Sequence, residues 1–115
     1  MSEKNLQNIC TKSLEDNKAE NILVLDIQGI SSFADLIIIA TANSNRHAKS
    51  LADKLVESIK ANNKNIINVE GKVESGWILV DCGGVVVNIM KEEIREFYDL
   101  EGLWGENTLL NSSNK

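Results

Sequence analysis

The residues able to do chemistry in this chain are few, and they gather at the ends of apolar runs. Gly29, Ser31, Ser32 and Asp35 lie between two such runs. A glycine-serine turn with an acid leading into the next strand invites comparison with nucleotidyl transferases. Metal-assisted phosphoryl transfer needs at least two carboxylates converging on the metals, to hold them against a triphosphate and neutralise developing charge. Asp35 is followed by Leu36 and Ile37, so the second acid of an alternating pair is missing. Asp26 and Asp81 end other apolar runs, and no spacing rule brings them to Asp35. Its expected role is to turn or cap the chain.

The remaining candidates are as sparse. His47 is the single histidine, which leaves no histidine pair for zinc. A nucleophilic dyad would need Cys10 or Cys82 to meet His47 across the fold, and an isolated histidine at a helix start is more simply a solvated or contact side chain. Cys82-Gly83-Gly84 joins two strands instead of opening a helix, so it lacks the aligned N–H groups and dipole of a phosphate cradle. Cys10 and Cys82 are the only cysteines, and outside a secretory context two thiols are expected to stay free. The expectation is a non-enzyme with no catalytic residues, no metal and no cofactor.

The elements that would position these residues follow from periodicity. Leu6, Ile9, Cys10 and Leu14 recur at helical spacing, predicting a short amphipathic helix that fades near Lys18. Ile22–Ile27 reads as a buried strand ending at Gly29, and the unbroken apolar run Leu36–Ala40 as a central strand covered on both faces. Asn43, Ser44 and Asn45 are N-cap types, and behind them Ala48, Leu51, Ala52, Leu55, Val56 and Ile59 keep helical spacing until Asn62 and Asn63. Ile66–Val69 supplies a short strand, so strand, helix and strand predict a right-handed crossover with parallel pairing. Trp77–Asp81 and Val85–Met90, joined by a glycine pair, read as a β-hairpin. A last helix begins near Lys91 with Ile94, Phe97 and Tyr98 on one face. The expected fold is α/β, a single mixed sheet of about five strands flanked by helices. Residues 1–104 form the domain and 105–115 a polar, disordered tail.

Bulk properties agree with one small domain: 115 residues, 43% hydrophobic, 25% charged and without proline. Turns therefore fall to glycine and asparagine. No apolar run approaches the roughly 20 residues that span a bilayer, and Met1–Gln7 lacks a signal-peptide core, so a cytoplasmic protein is expected. The net charge of -5 disfavours free nucleic acid, which binds through basic side chains, and points to a basic protein as partner or to no charged partner at all.

In the hairpin, alternation puts Trp77, Leu79 and Asp81 on one strand face and Val86, Asn88 and Met90 on one face of the next. Trp77 reads equally as a contact anchor or as a half-buried packing residue. Beyond it, Tyr98-Asp99-Leu100-Glu101-Gly102-Leu103-Trp104 joins aromatics to acids, and from Lys91 to Glu101 five acids face two bases. An acidic patch flanked by aromatics suits a basic protein partner.

These residues carry a resemblance. Leu25-Asp26 with Gly29, Ser31-Ser32, Asp35, Ser44-Asn45-Arg46-His47, Glu70-Gly71, Trp77, Asp81 with Gly83, and Glu93, Arg95, Tyr98, Leu100-Glu101 and Leu103-Trp104 resemble the ribosomal silencing factor family, also called Iojap-like. The resemblance runs from about residue 4 to Trp104. It implies a nucleotidyltransferase-like topology without the catalytic acids. It also implies binding to the large ribosomal subunit through its ribosomal protein number fourteen, blocking subunit joining and lowering translation when nutrients are scarce. Organellar relatives act in large-subunit assembly, which is the alternative reading; a metal-dependent nucleotidyl transferase is a third. The candidate partner contacts are Trp77, Asp81, Asn88, Arg95, Tyr98, Glu101 and Trp104. The oligomeric state is open, a homodimer off the ribosome being one option. The family usually has histidine where this chain has Asn88, which keeps a donor and an acceptor but does not titrate near neutral pH. Gly102, where a larger residue is common, is expected to loosen the final turn.

Overall fold

Chain direction is set by a few local signals that the computed structural model makes explicit; it describes residues 2–29, 34–66, 68–100, 102 and 109–112. Helix α1 (Ser2–Asp16) buries Leu6, Cys10 and Leu14, one residue per turn. It ends in a Schellman motif: Lys18 takes a left-handed φ of 73°, Ala19 N–H donates to the Leu14 carbonyl and Lys18 N–H to that of Glu15. Helix α2 (Asn45–Ala61) ends the same way, with Asn63 at φ 61° and Lys64 and Asn63 donating to Ile59 and Lys60. Its start is capped by Ser44, whose hydroxyl accepts from His47 N–H at 2.9 Å. With no proline or glycine at these ends, lysine and asparagine serve as the left-handed residues.

Among the described residues the strands are β1 (Glu20–Asp26), β2 (Leu36–Ala42), β3 (Asn68–Glu70), β4 (Trp77–Asp81), β5 (Val85–Lys91) and β6 (Leu109–Ser112), in spatial order β3-β4-β5-β2-β1-β6. The sheet is mixed, as expected. Its one parallel pair is β2 with β5, in the register Ile38 opposite Val87. This corrects the crossover read from sequence, which paired the strand after α2 with the strand before it. β3 runs in the β2 direction but lies at the far edge beyond β5 and β4, beside Trp77–Asp81. Three exposed residues cannot displace the apolar β5 from a central place, because only a strand apolar on both sides is stable there.

Within the segment expected to be a polar, disordered tail, residues 109–112 are described and form a strand. Leu109–Ser112 pairs antiparallel with β1, placing Asn111 opposite Val24. Without it β1 would be an open edge with unpaired N–H and carbonyl groups.

The sheet has two apolar faces. Helices α1 and α2 cover one, packing on Val24, Ile38, Val80, Val85, Val87 and Ile89. The other gathers Leu25, Ile27, Ile37, Ile39, Val86 and Met90, with Trp77, Leu79, Ile94 and Leu100 packed against them. Helix α3 (Glu92–Tyr98), only seven residues long, stands over part of this second face. No helix among the described residues is long and apolar enough to cross a membrane.

Candidate interaction site

The three acids that might have met at a metal do lie at one end of the sheet, at the close of β1 and β4 and the entry to β2. Two of them hold local turns with their carboxylates. Asp26 accepts from the N–H of Gln28 at 3.0 Å and Asp81 from that of Gly83 at 2.9 Å, both Asx-type turns. Asp35 is clamped by its backbone: its N–H donates to Gly84 at 2.8 Å and its carbonyl accepts from Ile27 at 2.9 Å. Among the described residues no three His, Cys, Asp or Glu side chains are grouped to hold a metal. Ser31 and Ser32 lie outside the described residues.

His47 is also structural. Its Nδ1 accepts from the Asn43 N–H and its Nε2 meets the Asn17 carbonyl, both at 3.0 Å. The imidazole thus ties the start of α2 to the end of α1. Cys10 and Cys82 are free and buried. Their thiols hydrogen-bond each other, so Cys10 as donor is held protonated, and the accepted bond draws Cys82 below the ordinary thiol range.

The opposite face is different. Trp77 is half-buried, and its Nε1–H donates to Asn88 Oδ1 at 2.9 Å. The Tyr98 ring rests on the indole with centroids 4.9 Å apart, and Phe97 meets Tyr98 edge-on at 5.0 Å. Phe97 is 78% exposed and Tyr98 51%. The sequence placed Ile94, Phe97 and Tyr98 together on the apolar face of the last helix, the usual sign of a core face. Here α3 has only seven residues, and Ile94 packs inward while the two rings remain in solvent.

Beside this ledge runs a groove of about 450 Å³ lined by Glu70, Gly71, Ser75, Trp77, Leu79, Ile94 and Tyr98. Gly71 lets the loop after β3 approach: a Cβ there would stand 2.2 Å from the Trp77 carbonyl oxygen, and its φ of 108° is left-handed. On the other flank of α3, Glu92, Glu96 and Asp99 surround a 370 Å³ hollow floored by Arg95. Arg95 is 7% exposed and donates to the Asn21 carbonyl and, at 2.8 Å, to Thr41 Oγ1. Asn21 has a left-handed φ of 52° within the β1 bulge, so the guanidinium fills the irregularity and pins α3 across β1 and β2.

Of the seven contacts expected from sequence, the structure brings Trp77 and Tyr98 to the surface together. Asn88 and Arg95 lie beneath it as supports. Asp81 is in the hairpin turn at the other end of β4, and Glu101 and Trp104 lie outside the described residues. Sequence reasoning missed Phe97, Ile94, Leu79 and the Gly71 loop as parts of one surface. Gly102 donates its N–H to Asp99 Oδ1 at 3.2 Å.

A model described as ribosomal silencing factor during starvation matches residues 1–115. The chain belongs to the ribosomal silencing factor family. The silencing factor RsfS of Bacillus subtilis is 36% identical over 92% of this chain and 90% of its own length. A mouse relative named mitochondrial assembly of ribosomal large subunit protein 1 is 31% identical over 79% of this chain and 41% of its own. Among solved structures, a Chromobacterium violaceum protein superposes with a TM-score of 0.86 at 36% identity, covering 89% of this chain and 85% of the other. A Bacillus halodurans protein gives 0.82 at 29% identity, covering 94% and 98%. Silencing factors are named for a regulatory role, not a reaction.

Proposed function

We propose that this chain is a translation repressor that binds the large ribosomal subunit and sterically blocks joining with the small subunit, slowing translation under nutrient limitation. The observation that carries this reading is the exposed aromatic ledge of Trp77, Tyr98 and Phe97 beside an open groove, on the face of the sheet that α1 and α2 leave free. Large aromatics in solvent are costly unless a partner covers them. Acidic side chains on α3 and at Glu70 flank the ledge and suit a basic protein surface, here ribosomal protein number fourteen of the large subunit. Steric exclusion needs affinity and placement but no bond making. The site of action is the cytoplasm.

The test is sedimentation of purified subunits with added protein. The protein should travel with large subunits and reduce the joined fraction; travel with small subunits alone would sink the proposal. The mouse relative's name favours a second reading, assembly of the large subunit. An assembly factor binds immature large-subunit particles in preference to mature ones, and equal binding counts against it.

A further inference from the structure

An aromatic groove keeps one shape only if its largest side chain keeps one rotamer. Trp77 forms the shared wall of the groove and the ledge, and its indole has a single donor that must find an acceptor once half-buried. That acceptor is Asn88 Oδ1, at 2.9 Å. In the sheet register Asn88 stands opposite Leu79, and Trp77 opposite Met90, so the indole reaches diagonally across the β4–β5 pair. Asn88 is 3% exposed, between apolar residues on both sides along β5. A buried amide in the middle of β5 is expensive unless its polar atoms are used.

We infer that Asn88 is a positioning residue of the groove: its buried amide oxygen holds the Trp77 indole under the Tyr98 ring, so that the aromatic ledge is formed before any partner arrives. The assignment rests on reading the ledge as the large-subunit contact. Asn88 acts through Trp77 and does not itself touch the partner. Fixing the indole in advance removes a rotamer-ordering cost at binding, which is where preorganised surfaces gain affinity. A neutral amide does this without placing charge beneath the sheet, and a neutral imidazole offers a ring-nitrogen acceptor in place of the amide oxygen.

The experiment compares the full chain with Asn88→Leu and Asn88→His at pH 8, where the imidazole is neutral. Two measurements are made: hydrogen exchange of the Trp77 indole N–H, assigned by its loss in Trp77→Phe, and affinity for purified large subunits. Asn88→Leu should exchange the indole at least about tenfold faster and bind about tenfold more weakly, from the unpaired donor. Asn88→His should restore both. Unchanged indole exchange in Asn88→Leu overturns the inference, as does faster exchange with unchanged affinity. Thermal unfolding of each variant separates loss of the ledge from loss of the fold: equal losses in binding and folded fraction would also overturn it. If the parent chain itself does not bind large subunits, the functional reading fails, and the inference falls with it as a statement about binding even if the indole data follow expectation.

Discussion

At the scale of single residues, the polar groups with the most definite roles are enclosed ones. Arg95 is a long cation that a sequence reader assigns to the surface, yet its guanidinium is spent on the Asn21 carbonyl and Thr41 hydroxyl. Replacing it with Met keeps the stem and strands those acceptors, so Arg95→Met should lower stability by about 2 kcal/mol in urea unfolding. Phe97 is the converse. It contacts little of the core, so Phe97→Ala should leave the unfolding midpoint unchanged while weakening large-subunit binding by at least about tenfold. A large fall in stability would show that Phe97 is packing and remove the ledge argument. The cysteines are predicted to alkylate in a fixed order. Cys82, the acceptor of the thiol pair, should react before Cys10, and both slowly, as followed by intact mass after brief exposure to iodoacetamide.

At the scale of elements, caps decide boundaries. Ser44→Ala removes the hydroxyl that receives the His47 N–H and should cost about 1 kcal/mol. Gly71 is more demanding, because a Cβ would strike backbone and not a movable side chain. Gly71→Ala should therefore destabilise the chain by about 2 kcal/mol and shift resonances of Trp77 first; a silent substitution would show that the loop relaxes freely. The helices α1 and α2 and the four longer expected strands were legible because their apolar positions recur at one period over enough residues, whereas β3, three exposed residues, begins two residues later than expected. α3 was legible as a helix but not in its exposure, since a pattern of apolar residues reveals a face and not what the face meets. The sixth strand was invisible: Leu109–Ser112 is short and flanked by asparagine and serine, and its pairing is decided by the open edge of β1.

At the scale of the whole molecule, the sheet divides the protein into a structural face and a working face. The face under α1 and α2 is closed, with His47 and the thiol pair linking its parts. The face under α3 is half-covered, and the groove exists because seven residues cannot shield a six-stranded sheet. The sequence by itself determined the α/β class, the helix caps, the hairpin and the lack of an alternating acid pair at Asp35, because each is written in neighbouring residues or in a period. The family resemblance was legible for the same reason, in spaced motifs from Leu25 to Trp104. Only tertiary structure decided that β2 pairs with β5, that Asp26, Asp35 and Asp81 stand at one end of the sheet while Asp26 and Asp81 hold turns, and that Trp77 bonds Asn88. Those facts depend on residues brought together across strands, where competition for burial, and not local propensity, chooses the neighbour.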